Sequence, residues 1–83
     1  MNETKKINIK YFAVFREQAG KGFETCETRA LTAGQLFSEL ADRYQFKLDA
    51  RYVRVSVNAE FSSMDHVLQH HDSVVFIPPV AGG

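Results

Sequence analysis

One stretch of the chain, Thr32 to Tyr44, repeats apolar residues at helical spacing over several turns, and it lies between segments that alternate as strands do. Leu36, Phe37, Leu40, Ala41 and Tyr44 make one stripe, which Ala33 extends by a turn. Thr32 stands where an N-cap belongs, and Gln35 follows at the spacing of a capping box. Glu39 and Arg43 sit one turn apart on the solvent side, in the order that supports a helix. A lone amphipathic helix must bury its stripe against something, and strands are what the flanks offer.

In the first of these, Ile7, Ile9, Tyr11 and Ala13 share one face while Asn8, Lys10, Phe12 and Val14 share the other, which predicts a strand from Ile7 to Val14. The second face turns apolar only at its end. Phe15 to Gly20 is too short for a full helix, although Gly20 can close a single turn. Phe23 to Thr28 reads as a second strand, close enough to pair antiparallel with the first. After the helix, Phe46 and Leu48 fold back over its end. Arg51 to Val57 is a strand with Val53, Val55 and Val57 on one face and Arg54 and Ser56 on the other. Asn58 to Glu60 is a turn, because Asn58 tolerates the left-handed region. Phe61 starts a short return piece, Met64 to Leu68 forms one helical turn capped by Ser62 or Ser63, and Asp72 leads into a last strand, Val74 to Ile77.

Strand, strand, long helix, strand, short piece, strand is the order of an α+β fold, a β-grasp roll with one mixed sheet packed on one main helix. A right-handed crossover through the helix sets a later strand parallel to an early one. A ferredoxin-like arrangement needs a second long helix, and Met64 to His71 is too short to supply it. The 83 residues make one domain, near the lower limit for a core without staples. We expect residues 1–77 to form it, with 78–83 as an extended tail.

Composition excludes several function classes. Ten basic and ten acidic side chains cancel, and the basic ones are dispersed, so no field for nucleic acid is expected. No segment approaches the roughly 20 apolar residues of a membrane span, and the first residues do not resemble a leader. The lone Cys26 excludes an internal disulfide; its place in the second strand suits a buried thiol against the helix. A reducing, cytoplasmic location is the expectation. His66 and His70 have the spacing of a helical metal pair, but no cysteine or third histidine completes a ligand set, and Asp65, His71 and Asp72 read as turn residues. Gly20 and Gly22 lack the rest of a phosphate loop, and Ser62 and Ser63 lack a triad setting. No metal, bound cofactor or active site of its own is expected.

What remains is the end of the sequence, Val74-Val-Phe-Ile-Pro-Pro-Val-Ala-Gly-Gly83. Pro78 and Pro79 fix φ and favour an extended course away from the domain. No charged side chain follows Asp72, and Gly82 and Gly83 remove all side-chain atoms around the last carboxylate. A glycine pair contributes nothing to a core and costs entropy to order. A frayed terminus could read this way, whereas a bare backbone after prolines and a strand suits threading through a narrow slot in another protein. Phe12, Val14, Phe15, Phe76, Pro78 and Pro79 would form an apolar patch at the tail's root if the first and last strands are adjacent, the alternative for any one of them being that it completes the core.

Pro-Pro-Val-Ala-Gly-Gly after that strand, together with Val55-Ser-Val-Asn58 and Tyr11-Phe-Ala-Val-Phe-Arg-Glu17, resembles the small, sulfur-carrier subunits of molybdopterin synthase, a ubiquitin-like family. The resemblance implies that Gly83 carries a thiocarboxylate, with Gly82 giving clearance. An ATP-dependent adenylating enzyme would activate Gly83, and a sulfurtransferase or persulfide would supply sulfur. The charged tail, Val80 and Ala81 included, would enter a large synthase subunit, in a heterotetramer, and donate to a cyclic pterin precursor. Catalytic residues would then belong to the large subunit. Arg16 matches an arginine typical of the family and is a candidate partner contact. Two departures stand out: Ile77 replaces a common phenylalanine, and His71 replaces the glycine of a Gly-Asp pair, which predicts different dihedrals in that turn. Related carriers for thiazole synthesis or tRNA thiolation share the Gly-Gly chemistry, and a ubiquitin-like binding module without thiocarboxylate is the more distant alternative.

Overall fold

The alternation of Ile7, Ile9 and Tyr11 becomes β1 (Lys5–Tyr11), whose inward residues are fully buried. In the computed structural model, which describes residues 3–79, β1 is flanked by β2 (Phe23–Thr28) and β5 (Ser73–Ile77). With β3 (Arg54–Val57) and β4 (Glu60–Ser62) the sheet order is β2-β1-β5-β3-β4. All pairings are antiparallel except β1 with β5, which run parallel with Tyr11 opposite Phe76. The expected β-grasp architecture is therefore present, with its two early strands as a hairpin and the last strand in the middle.

The main helix, α2 (Ala33–Tyr44), covers one face of this sheet. Thr32 Oγ1 accepts the Gln35 N–H at 3.2 Å, while Gln35 Oε1 accepts the N–H of Leu31 at 2.8 Å. The box thus closes one residue earlier than its usual form. Ala33, Leu36, Phe37 and Leu40 meet Ile7, Ile9, Val55, Val74 and Phe76 in the core, and complete burial of each large apolar side chain contributes about 1.5–3 kcal/mol. Phe46 does fold back, lying 4.8 Å from Phe15 and 5.8 Å from Phe37 between ring centres.

Three expectations are corrected. The first strand ends at Tyr11, three residues early. Phe12 stays extended as an N-cap, Ala13 takes φ of 51°, and a second helix, α1 (Ala13–Ala19), begins. Val14, Phe15, Gln18 and Ala19 have helical spacing, and that stripe wins because it buries Phe15 completely. Gly20 then ends α1 at φ of 77°, donating its N–H to the Arg16 carbonyl at 3.0 Å. The strand expected from Arg51 starts only at Arg54, because Asp49 caps a short 3-10 turn, Ala50–Tyr52.

Third, Met64 to Leu68 is a turn followed by extended chain. Ser63 Oγ accepts the Asp65 N–H, and the Met64 and His66 carbonyls accept the Gly34 and Ala33 N–H groups at 2.8 and 3.0 Å. Those donors are orphans of the first turn of α2, so the loop satisfies the helix rather than forming one.

Where β5 begins, a polar knot sets its register. The buried Asp72 accepts from Asn58 Nδ2 at 2.9 Å and from the Gln69 N–H at 2.8 Å. Asn58 Oδ1 in turn accepts the Ser73 N–H at 2.9 Å. Asn58 and Ala59 both take positive φ, as a tight hairpin between β3 and β4 requires. The different dihedrals expected at His71 are not found: it holds φ of 74°, so the turn keeps the left-handed geometry that glycine favours despite the side chain.

On the other edge, the Tyr11 and Tyr44 hydroxyls both donate to Glu24 Oε2, at 2.5 and 2.6 Å. Burial pushes the Glu24 carboxyl up, but the two hydroxyls, Lys21 and Arg43 outweigh it and hold it below the ordinary value. Burial and the Glu24 carboxylate push the Tyr11 phenol upward.

Two outcomes follow from these contacts. His71→Gly relieves the left-handed strain but loosens the unfolded chain, so it should raise stability by about 0.5 kcal/mol, read from the urea midpoint at constant m-value. Glu24 is depressed in the folded state, so its stabilisation is present above the ordinary value of 4.5 and lost as pH falls through its folded value. Glu24→Gln should therefore flatten the stability profile below pH 4.5 and lower the plateau above it, in urea titrations at several pH values.

Candidate functional site

Parallel pairing of β1 and β5 sends both strands toward the same end of the sheet, where β5 runs on into Pro78 and Pro79. Phe12, held extended at the start of α1, stands beside Ile77 on the open face. Together with Val14, Leu48, Pro78 and Pro79 they line an apolar groove of about 780 Å³. Ala13 forms part of its floor, and Lys47 is the one charged residue in the lining. Lys10 places its Nζ 5.5 Å from the centre of the Phe12 ring.

Beyond the groove, further apolar residues lie on the same face of the sheet. Val75 faces the same way as Ile77, opposite Lys10 on one side and Ser56 on the other. Ser56 is opposite Phe61, which is 74% exposed. The open face thus carries an interrupted apolar band, Phe12, Ile77, Val75 and Phe61, ending at the tail's root. A band of that kind marks a surface for another protein.

The patch expected from sequence is present only in part. Phe12, 45% exposed, Val14, Pro78 and Pro79 are where it was expected. Phe15 and Phe76 are not on the surface: both are 0% exposed. Phe76 points under the sheet, its ring 5.1 Å from Phe37, and Phe15 faces the same ring at 5.6 Å. The reason is parity, since Val74 and Phe76 face the helix and Val75 and Ile77 must face away. Arg16 is exposed on α1 but lies over the β1–β2 connection, where a Cβ on Gly22 would meet its Nε at 3.4 Å. It does not line the groove. Val80, Ala81, Gly82 and Gly83 lie outside the described residues.

Lys47, Leu48, Ile77 and Phe61 belong to this surface and were not singled out from sequence. Strand parity pointed to Ile77; nothing local marks Lys47 and Leu48, which the groove gains because the chain after α2 folds back.

Cys26 is buried, and burial with the Glu39 and Glu24 carboxylates pushes its thiol up, the opposite of a reactive thiolate. His70 Nδ1 accepts the Lys6 N–H at 2.9 Å, and the His70 and His71 rings lie 3.8 Å apart. Among the described residues no group of His, Cys, Asp or Glu gathers as a metal site. Apart from Lys47 the described lining of the groove is apolar, a surface suited to binding another protein.

This placement separates two phenylalanines by role. Phe76→Ala should cost about 3–5 kcal/mol of stability, and Phe12→Ala less than about 1 kcal/mol, in equilibrium urea unfolding. A Phe76→Ala protein with a near-normal midpoint would contradict the packing described here.

Comparison with known proteins gives the same picture over nearly the whole length. The ThiS family model matches residues 9–83. The molybdopterin synthase sulfur carrier subunit of Escherichia coli is 32% identical over 80 residues, covering 93% of this chain and 99% of that protein. Its counterpart in Mycobacterium tuberculosis is 35% identical over 81 residues, covering 94% and 98%. A solved structure from Pyrococcus furiosus, described as molybdopterin converting factor subunit 1, superposes with a TM-score of 0.77 at 32% identity, covering 92% of this chain and 99% of that one.

Proposed function

The chain belongs to the ThiS family, and from that premise we propose that it is the sulfur-carrier subunit of a molybdopterin synthase, working through a thiocarboxylate on Gly83. The observation that carries this reading is that the family match runs through the Gly82-Gly83 pair itself, on a fold whose last strand runs into Pro78 and Pro79 at an apolar groove.

The chemistry follows from what a carboxylate lacks. It is a poor electrophile, so sulfur enters only after an oxygen becomes a leaving group. An activating enzyme joins the Gly83 carboxylate to the α-phosphorus of ATP, releasing pyrophosphate; the terminal sulfur of a donor persulfide then displaces AMP to give an acyl disulfide. A second thiol on the donor side cleaves its S–S bond, leaving the thiocarboxylate on Gly83 and a disulfide on the donor. The thiocarboxylate sulfur is the nucleophile delivered to the pterin precursor, in a site built by the large subunit. Gly82 and Gly83 supply reach without side-chain bulk. The groove walls, Phe12, Val14, Leu48, Ile77 and Pro78, support a docking role, with Phe61 extending the surface across the sheet. The family likeness implies the two kinds of partner, an activating enzyme and a receiving subunit.

The test is intact mass after incubation with the activating enzyme, ATP and a sulfur source. The full chain should gain the difference between sulfur and oxygen and then support product formation with the large subunit. Deleting Gly83 should abolish product while leaving complex formation largely intact, because the tail ends about 3.3–3.6 Å short of the receiving site. An unchanged mass with a competent activating enzyme would overturn the reading.

A further inference from the structure

The chain is neutral in sum, yet three of its cations gather around the tail's root. Lys10 and Arg54 flank β5 on the open face: Lys10 stands opposite Val75, and Arg54 opposite Ile77. Lys47 closes the groove on its far wall. All three are exposed, and none takes part in an ion pair among the described residues. The basic residues that do are Lys21 with Glu24, Arg43 with Glu39, and Arg51 with Asp49.

The acidic residues lie elsewhere or are occupied. Asp49, the nearest in sequence to Lys47, is held by Arg51 at 3.3 Å, and Glu17, the other exposed acid near the groove, sits a turn along α1 from Ala13 and Val14 and outside the described lining. Asp72 is buried at the opposite end of β5, and Glu60 is paired with Val57 at the far end of β3. Apolar side chains fill the space between the cations: Phe12, Ile77 and Pro78.

We infer that the surface which receives the tail's root carries carboxylates at its rim, so that Lys10, Lys47 and Arg54 select and steer an acidic-edged, apolar-centred protein partner. Docking an apolar centre removes water from its edge, and a cation left there without a counter-charge is penalised. Complementary rim charges act mainly on encounter, raising the association rate and making it sensitive to salt. The apolar ground between the cations fits a protein face; a phosphate backbone would leave it uncovered. This inference rests on the sulfur-carrier reading for the identity of the partner.

The experiment is stopped-flow association of the full chain with the large synthase subunit at low and high salt. The wild-type rate should fall as salt rises. The variant Lys10→Glu, Lys47→Glu, Arg54→Glu should associate at least about tenfold more slowly at low salt, show a salt dependence of the opposite sign, and change its dissociation rate much less. A double reversal at the opposite pole, Lys6→Glu with Arg29→Glu, should slow association less than about threefold, which separates rim charge from net charge. Thermal melting of each variant shows that it is folded. Equal slowing by both sets of reversals, or a triple variant that associates like the wild type, would overturn the inference while leaving the carrier reading intact. Tight binding of duplex DNA or RNA, lost in the triple variant, would also overturn it by assigning the rim to phosphate. A wild-type chain that acquires the thiocarboxylate but does not bind the large subunit would remove the assigned partner, and the inference with it.

Discussion

The parallel pairing of β1 with β5 is the contact on which everything else depends. It joins Asn8–Tyr11 to Ser73–Phe76, segments at opposite ends of the sequence, and so carries a larger loop-closure cost than any other pairing in the sheet. That cost is offset by the fully buried Ile7, Ile9, Tyr11, Val74 and Phe76, all packed under α2. The same pairing places Phe12 beside Ile77 and thereby creates the groove. A slip of one residue would turn Val75 and Ile77 inward and expose Phe76, destroying core and surface together.

The register is protected by polar groups that apolar packing alone could not replace. Asp72, Asn58 and Ser73 exchange three hydrogen bonds where β5 starts beside the β3–β4 turn. His71 extends the pairing backwards by donating its N–H to the Lys6 carbonyl at 2.7 Å, while His70 occupies the Lys6 N–H. Hydrogen bonds in a buried setting are costly to leave unmade, so a shifted strand would strand several at once. No buried side-chain polar atom among the described residues is left without a partner. The strained φ of His71 is tolerated because these neighbours over-determine its place.

Much of this was legible in the sequence, and the failures have physical causes. The long helix was read with its cap and its last residue, Tyr44, because its stripe, its N-cap and its ion pair all agree. Val53, Val55 and Val57 point inward as their alternation implied. The first strand was overextended because Ala13 fits both an alternating and a helical pattern, and only the burial of Phe15 decides between them. The turn at Met64 was misread because its carbonyls serve α2, a partner that local sequence does not reveal. At the docking surface, apolar character on adjacent strands suggests a patch without saying which face each residue takes. Phe76 shows the consequence, since parity within the same strand sends its neighbours outward instead.

Function and geometry were legible by different routes. The glycine pair and the prolines pointed to a chemistry by resemblance, without reference to where any side chain lies. The surface that presents them could not be read that way, because Lys47 and Leu48 reach it only through the fold-back after α2, and Arg54 only through its register with Ile77. Net charge was equally uninformative. Zero is the correct total, yet it hides that Lys10, Lys47 and Arg54 face solvent around an apolar groove with no ion pair among the described residues. A glycine pair without side chains offers little by which to discriminate between receiving slots, and discrimination then falls to the residues and the domain behind it. The rigid root, with its aromatic band and its uncompensated cations, is the part of this molecule able to supply it.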